Sequence, residues 1–417
     1  MSEGISKSSM ANITRRAALA GIMATTAAMP TLVRAQDKAA LRIGVLNDQS
    51  GPFADLSGLG SVEAAKLAVE DHGGRANGVA VEVLAADHQN KPDIGTGILR
   101  KWLDVDNVQA VFDLGNSAIS LAAQQIMRER NRIIVHSTSA TSDLTGSACS
   151  PVGFHWVYDT YSNSAGIAKA LMSQGLDTWF FVTVDYAFGK SMEAVARTAI
   201  EKAGGKVVGA VRHPLNTSDF SSYLLQAQSS NAKVIVFANA GVDLTNCIKQ
   251  AAEFRLSKVA GGSQTVVAPV MLLTDVHAIG LKLAQGLSFI SGFYWDKDDE
   301  TRAWSRRFFE RGRAMPTMSQ AGVYSAVRHF LKAVDATKTT AGLEVASAMR
   351  AIPVSDMFTR NAVLRADGRL VHDMLLVEVK SPEQSRYPWD YYNIKAVLPG
   401  AEAFRPLDEG GCSLVRT

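Results

Sequence analysis

Short apolar runs bounded by Gly, Asn or Asp alternate along this chain with longer Ala-rich segments whose apolar residues recur at helical spacing. This alternation predicts βαβ units, in which helices connect the parallel strands of a sheet. The expected strands are residues 41–46, 79–85, 110–114, 133–136, 179–184, 206–211, 234–238, 270–273 and 287–291. The expected helices are residues 61–71, 94–103, 117–129, 162–174, 189–203, 219–228, 242–255, 301–311 and 321–336. The sequence therefore predicts an α/β protein.

The last part of the chain departs from this pattern. An Asp367-Gly368 pair separates two strand-like runs within residues 362–379, and such a pair is typical of an antiparallel hairpin. Residues 381–417 contain several Pro and Gly residues, and we expect them to be irregular.

The first 35 residues have the order of parts of a bacterial export signal of the twin-arginine type. The pair Arg15-Arg16 precedes an uncharged apolar stretch, residues 17–29, and the small residue Ala35 follows it. This stretch is shorter than the roughly 20 apolar residues that span a bilayer. We therefore expect cleavage near Ala35 and a periplasmic protein, although an Ala-rich first helix of the folded protein is the alternative. No Cys lies at the end of the apolar stretch, so no lipid anchor is expected.

The formal net charge of the chain is +3, and residues 1–35 account for it because they contain four basic residues and one acid. The remainder is near neutral and has no long Lys/Arg cluster, so we expect no nucleic-acid partner. The segment 36–417 is longer than a domain with a single hydrophobic core usually is, and this length suggests two domains. We expect the protein to be monomeric.

Three cysteines are present. Cys149 and Cys412 lie in loop-like sequence rich in Ser and Gly, and in an oxidising compartment a disulfide between them would tie the C-terminal tail to the body. Cys247 lies in a helix-like stretch and is expected to be a buried small hydrophobe. Whether the first two are bridged stays open at this point.

Several catalytic patterns are nearly present, and each lacks a decisive residue. Residues 187–191 end like a phosphate-binding loop, but Val184 stands where the upstream glycine is required. Residues 115–117 resemble a nucleophile elbow, but Ile119 replaces its closing glycine. The eight histidines show no pair at metal-ligand spacing. The sequence therefore predicts no enzyme, no metal site and no cofactor.

Hydroxyl and amide residues follow two predicted strands at the edge where open α/β sheets bind ligands. Asn116-Ser117 follows the run that ends at Leu114, and the segment 137–142, Ser-Thr-Ser-Ala-Thr-Ser, follows the run that ends at His136. Hydroxyls and backbone N–H groups there could hold a carboxylate without a formal charge, as helix N-termini do. Ser117 could instead be only a helix N-cap. Two such loops from neighbouring strands favour an anion site.

The run I-G-V-L-N-D-Q-S-G-P-F-A at residues 43–54, followed by Gly60 and an Ala-rich helix ending in A-V-E-D, resembles the start of a known family. This family is the branched-chain-amino-acid-type periplasmic binding proteins of ABC transporters. Four later segments are similar to it in the same order: VFDLGNSAISLAAQQIM, IIVHSTSATSDLTG, FHWVYDTYSN and VIVFANAGVDLTNCIKQAAEF. The resemblance covers essentially the whole chain after the signal.

The resemblance implies a type I binding-protein fold, in which two Rossmann-like lobes are joined by three crossing segments and close on a ligand by a hinge motion. Lobe 1 would comprise residues 39–157 plus 293–357, and lobe 2 residues 158–292 plus 358–417. These two discontinuous lobes replace two consecutive domains. The implied partners are a small-molecule carboxylate and the membrane permease of an ABC importer. A ligand-sensing domain for a membrane receptor is the alternative.

The resemblance also implies the ligand contacts. Contacts from the first lobe would be Asn116, Ser117, Ala118, Ser139, Ala140 and Thr141. Contacts from the second lobe would be Asp185, Tyr186, Phe188, Asn239, Ala240 and Asp275. Further walls of the cleft are expected from Phe53, Tyr158, Tyr294 and Trp295.

Three positions suggest the class of ligand. Leu56 and Phe188 stand where the amino-acid binders commonly have tyrosines, and Asp275 aligns only approximately with the acid that receives the α-ammonium group. An apolar or aromatic carboxylate is therefore favoured. The segment TDVHAIG at residues 274–280 resembles a subgroup that binds lignin-derived aromatic acids such as hydroxybenzoates and cinnamates. Branched-chain or other amino acids, or amides, are the alternative ligands.

Overall fold

The first sheet contains six strands in the order β2-β3-β1-β4-β5-β6. Its strands are β1 (Leu41–Asn47), β2 (Arg75–Ala76), β3 (Val79–Asp87), β4 (Val108–Asp113), β5 (Ile133–His136) and β6 (Gly153–His155). All neighbours pair in parallel except β2 and β3. The connecting helices are α1 (Gly58–Asp71), α2 (Pro92–Asp104) and α3 (Ser117–Glu129). The computed structural model describes residues 40–257 and 260–415, so the predicted export signal and its cleavage site lie outside the described residues.

The second sheet is parallel throughout and has the order β10-β9-β7-β8. Its strands are β7 (Thr178–Val184), β8 (Lys206–His213), β9 (Val234–Ala238) and β10 (Thr265–Val267). The helices of this part are α4 (Thr160–Met172), α5 (Ala187–Lys202), α6 (Ser221–Ser229), α7 (Gly241–Glu253), α8 (Leu273–Ile279) and α9 (Leu281–Ala284). In both sheets the strand order reverses beside the first strand, which is where open α/β sheets form a ligand crevice.

A third sheet is antiparallel and has the order β11-β14-β15. Its strands are β11 (Ser288–Ser291), β14 (Met374–Val379) and β15 (Tyr392–Leu398), and a small hairpin joins β12 (Val363–Leu364) to β13 (Leu370–Val371). The remaining helices are α10 (Asp299–Gly312), α11 (Met318–Thr337), α12 (Gly342–Ala351) and α13 (Gly400–Ala403). Helices α10 and α11 pack on α1, and α4 packs on β11. No helix of the described residues is long and apolar enough to cross a membrane.

Local sequence explains where these elements begin. Helices α4, α10 and α11 each start with a reciprocal capping box, in which the N-cap side chain accepts from the N3 amide and the N3 side chain accepts from the N-cap amide. Strands β4 and β9 are buried at every position, as expected in a parallel sheet that is covered on both faces. The α/β fold predicted from the sequence is confirmed.

Two segments differ from the sequence prediction. Residues 270–273 were expected to be a strand, but the strand of this region is β10, and the apolar run is a buried connection leading into α8. Residues 381–417 were expected to be irregular, but they contain β15, because Pro and Gly residues flank this strand and do not interrupt it. The Asp367-Gly368 turn was predicted correctly, and it joins the two antiparallel strands of the small hairpin. The division into two lobes stays a prediction.

The C-terminal tail is attached covalently to the first sheet's side of the molecule. Cys149 and Cys412 form a disulfide, with their Cα atoms 5.6 Å apart. A Cβ placed on Gly146 would lie 2.9 Å from the carbonyl oxygen of Gly410, so the tail approaches this loop closely. Cys247 is a free thiol buried within α7.

Candidate functional site

A small cavity lies where loops following strands of the first and second sheets meet. These loops follow β1, β4, β5, β7 and β9, which include β1 and β7, the strands beside which the order of each sheet reverses. The cavity is lined by Phe53, Leu56, Gly115, Ser117, Thr138, Ala140, Tyr158, Tyr186, Phe188, Ala240 and Val270. Its interior volume, about 10 Å³, holds roughly one water molecule and is far below the roughly 300–1,000 Å³ typical of ligand pockets, so a ligand enters only when its walls move apart.

Three helices begin at the wall of this cavity. Ser117 is the first residue of α3, Phe188 is the second residue of α5, and Ala240 is the N-cap of α7. The first N–H groups of a helix lack partners within the helix, and the helix dipole places partial positive charge there. Three such ends meeting at one cavity favour an anionic group in it.

The loop between β4 and α3 is held in an uncommon backbone conformation. Asp113 and Leu114 have φ values of 85° and 54°, a region that L-residues occupy at a cost when the surrounding structure enforces it. The Asn116 side chain then caps α3 by accepting from the N–H groups of Ala118 and Ile119 at 2.8 and 3.2 Å. The Asn116 side chain is therefore used as a helix cap, and Gly115 and Ser117 are the residues of this turn that line the cavity.

A chain of hydrogen bonds beneath the cavity fixes the neighbouring loop. The buried carboxylate of Asp113 accepts from Asn47 Nδ2 at 2.8 Å and from Thr138 Oγ1. The hydroxyl of Tyr158 donates to the Thr138 carbonyl oxygen at 2.6 Å. Burial raises the pKa of Asp113, and burial together with the nearby Asp113 and Asp275 carboxylates raises the pKa of Tyr158. The Tyr158 ring is thereby held, neutral, against the cavity.

The hydroxyl of Ser117 links the two loops of the first sheet. Its Oγ accepts from Ser139 Oγ and from the Thr141 N–H, both at 3.3 Å. Both of these contacts are long for hydrogen bonds. The Ser117 and Ala140 positions lie together in the cavity wall, as the sequence predicted for the two hydroxyl-rich loops.

The rest of the wall is aromatic and aliphatic. Phe53, Leu56 and Phe188 are each 3% exposed, and the rings of Tyr186 and Phe188 lie 6.0 Å apart between their centroids. Burial raises the pKa of Tyr186 well above its usual value, so this phenol is neutral. Among the described residues that line the cavity, none has a formal charge.

Some predicted site residues lie outside the cavity wall. Asp185 is half exposed, and its carboxylate pairs with Lys190 Nζ at 3.1 Å. Asn239 is fully buried, and its Nδ2 lies 3.2 Å from His213 Nε2 beneath the second sheet's loop. The other predicted residues that support the wall without lining it are Asn116, Ala118, Ser139 and Thr141. Tyr294 and Trp295 belong to a separate aromatic cluster, in which Tyr294 stacks on Tyr392 with centroids 4.8 Å apart.

Asp275 is a buried acid close to the site on the second sheet's side. It is 3% exposed, and its Oδ2 accepts the Leu272 N–H at 2.8 Å at the start of α8. Burial, opposed by this N–H and assisted by the Asp55 carboxylate, raises the pKa of Asp275 to about 7. Asp275 does not line the cavity, but its charge raises the pKa of the lining residue Tyr158.

The sequence analysis did not identify Val270 and Gly115 as lining residues. Val270 was assigned to a strand, whereas it belongs to the buried connection before α8. The preceding Pro269 was the available signal, because proline cannot donate a hydrogen bond within a sheet.

One group of side chains near the site could be mistaken for a metal centre. Asp48, Asp87 and His88 place potential ligand atoms within 4.8 Å of one another. The Asp48 carboxylate already accepts from the N–H groups of Gly51 and Phe53 at 2.8 and 2.9 Å. His88 Nδ1 accepts the Asn90 N–H at 3.0 Å, which leaves the ring proton on Nε2. These acceptors shape the loop after β1, and the arrangement gives no reason to place a cation there.

A profile of the family described as periplasmic binding protein matches residues 40–385. The chain belongs to this family. A periplasmic binding protein from Burkholderia mallei is 41% identical, with a TM-score of 0.87 over 90% of this chain and 99% of that chain. A structure described as a branched chain amino acid ABC transporter periplasmic ligand-binding protein, from Burkholderia xenovorans, is 40% identical, with a TM-score of 0.79 and the same coverage.

The periplasmic binding proteins of known structure that share the fold include more distant ones. A solute-binding protein from R. palustris in complex with benzoate has a TM-score of 0.78 over 90% of this chain and 100% of that chain, at 20% identity. This periplasmic binding protein therefore has the type I fold, and it is a solute-binding protein of an ABC transporter. Such proteins bind substrates for transport.

Proposed function

We propose that this periplasmic binding protein holds a small aromatic carboxylate, of the hydroxybenzoate or cinnamate type, in the cavity and presents it to a membrane permease. The observation that carries this proposal is an uncharged cavity with aromatic walls at which three helices begin. The dipoles of those helices would stabilise the negative charge of the carboxylate, and the aromatic walls would pack against the ring.

The carboxylate would dock on the first sheet's loops. Ser117 offers its hydroxyl and its N–H at the first position of α3, and Ala140 offers an N–H from the adjacent loop. The Oγ contacts of Ser117 within the protein are long, at 3.3 Å. An anionic acceptor could therefore replace them with shorter, charge-assisted hydrogen bonds. The second sheet's loops would then cover the ring with Tyr186 and Phe188.

Closure would follow from the same geometry. The cavity wall is shared between loops of two separate sheets, so a ligand that contacts both sides stabilises the form in which they are close together. A permease would recognise this closed form. The segments near residues 158, 292 and 358 would act as the hinge between the proposed lobes.

An amino acid is the second candidate ligand. The observation that favours it is the buried carboxylate of Asp275, which could accept an α-ammonium group at the edge of the site. The description of the relative from Burkholderia xenovorans is consistent with such a ligand. The two candidates differ in whether a negative charge on Asp275 helps or opposes binding.

A thermal-shift screen would test the ligand class. Saturating 4-hydroxybenzoate, at about 100 times its dissociation constant, should stabilise the protein by roughly 2.7 kcal/mol. The panel should contain benzoates, cinnamates, branched-chain amino acids and small dicarboxylates. The matched control is 4-hydroxybenzamide, which keeps the ring and removes the carboxylate charge. A response to amino acids alone would show that the aromatic proposal is wrong.

Substituting Ser117 would test the carboxylate-binding loop. In Ser117→Asp a negative charge faces the ligand's charge, and such juxtaposition costs several kcal/mol. We expect affinity for the cognate acid, measured by calorimetry, to fall by about 100-fold or more. Ser222→Asp places the same change at an exposed position in the first turn of α6, and it should bind like the wild type. Unchanged affinity in Ser117→Asp would show that this loop is not part of the ligand-binding site.

A further inference from the structure

The loop after β1 and the start of α7 meet through their main chains. The Val242 N–H donates to the Pro52 carbonyl oxygen at 3.3 Å. Val242 is the second residue of α7, a position whose N–H has no partner within its own helix. The contact therefore joins the loop after β1 of the first sheet to helix α7 beside the second sheet, and no side chain takes part in it.

Gly241 makes this approach possible. Its φ is 61°, in the left-handed region where glycine is favoured. A Cβ at this position would lie 2.4 Å from the Pro52 carbonyl oxygen and 3.0 Å from Phe53 Cδ1. Any other residue would have to push the two loops apart, because the nearest obstacle is backbone.

The first-sheet side of the contact is rigid. Asp48 accepts the N–H groups of Gly51 and Phe53, the residues on either side of Pro52, and the proline ring fixes its own φ. The Pro52 carbonyl is therefore held in place and cannot rotate away from an added Cβ at low cost. Phe53, which follows Pro52, and Ala240, which precedes Gly241, both line the cavity.

We propose that Gly241 and Pro52 form a main-chain latch that sets how closely the two sides of the cavity approach, and that Gly241 is a positioning residue for ligand binding. The inference rests on the proposed function, since closure matters only if a ligand is held between these loops. The latch touches no ligand atom in this scheme. It contributes to the closed form whatever acid is bound, and it contributes before any ligand arrives.

The test uses Gly241→Asn, because Asn tolerates positive φ better than other residues and yet has the obstructing Cβ. Gly175→Asn is the matched control, since Gly175 has φ 76° and a Cβ added there would meet nothing within 4 Å. Amide hydrogen exchange is followed by NMR on full-length mature protein labelled with ¹⁵N-valine, without ligand. The Val345 amide, which donates to the Ala341 carbonyl oxygen at 3.0 Å in α12, is the internal standard.

In the wild type and in Gly175→Asn, the Val242 amide should be protected from exchange. In Gly241→Asn we expect that protection to fall by about tenfold or more while Val345 is unchanged. The affinity for 4-hydroxybenzoate should fall by about tenfold as the closed form becomes rarer. The proposed latch would be contradicted if the Val242 amide were equally protected from exchange in the wild type and in Gly241→Asn, or if it were protected in neither.

The two proposals fail separately. If the wild type does not bind 4-hydroxybenzoate, the aromatic ligand is wrong, but the exchange of Val242 in ligand-free protein still decides whether the latch exists. If Gly241→Asn binds 4-hydroxybenzoate as tightly as Gly175→Asn does, the latch has no role in binding even if the contact forms.

Discussion

Asp275→Asn should stabilise the ligand-free protein by up to roughly 4 kcal/mol at pH 8, because about three pKa units of penalty are removed at 1.36 kcal/mol each. The wild-type carboxyl has a folded-state pKa of about 7, against an ordinary value of 3.8. Between these values the folded state keeps a proton that the unfolded state has lost. Wild-type stability should therefore fall as pH rises from about 4 to about 7 and then level off.

Urea unfolding of both proteins at intervals from pH 4 to pH 8 would measure this effect. The two free energies of unfolding should be close at pH 4 and should separate as pH rises. Asn at this position can still accept the Leu272 N–H that the carboxylate accepts now, so the start of α8 should be kept. Asp408→Asn, at an exposed carboxylate in the C-terminal tail, should change stability little at any pH. A constant difference between wild type and Asp275→Asn across the range would exclude a titrating origin.

The same variant separates the two candidate ligands. An aromatic acid brings only negative charge, so removing the Asp275 charge should leave its affinity equal or tighter. An amino acid would lose the acceptor of its ammonium group, and leaving that charge unpaired in a buried site costs several kcal/mol. Calorimetric titration of Asp275→Asn with 4-hydroxybenzoate and with leucine, both at pH 8, therefore gives opposite results for the two proposals.

Removing the Cys149–Cys412 disulfide should destabilise the protein by about 2–5 kcal/mol, the usual range for native disulfides. The bridge closes a loop with a sequence separation of 263 residues, so the unfolded chain gains considerable freedom when it is absent. Cys149→Ala/Cys412→Ala should show this loss in chemical unfolding. Reductant should destabilise the wild type by a similar amount and leave the double variant unaffected. Counting thiols in the unfolded, non-reduced protein should give the single thiol of Cys247, and three reactive thiols would contradict the bridge.

The parts of the fold that follow from local pattern were predictable. Buried parallel strands such as β9 are continuous apolar runs, and the turn at Asp367-Gly368 has a strong local preference. The run containing Val270 was mispredicted, because a buried connection and a buried strand have the same hydrophobicity. Strand β15 was missed because the Pro and Gly residues that flank it make the surrounding segment resemble irregular sequence.

The site was predictable only in part for a similar reason. Ser117 and Ala140 could be placed together because parallel strands bring their following loops to one edge. The meeting of α3, α5 and α7 at one cavity depends on how the two sheets face each other, which no local pattern encodes. The cap role of Asn116 and the positive φ of Asp113 likewise require backbone geometry. The family resemblance gave positions for contacts, but it could not separate residues in the wall, such as Phe188, from those behind it, such as Asn239.

The uncharged lining of the cavity determines how ligand binding should respond to salt. The ions of dissolved salt weaken attraction between exposed charges. Buried dipoles and N–H groups are shielded from those ions far more than surface lysines or arginines are. A receptor that recognises its anion in this way can keep nearly the same affinity in dilute and in saline water.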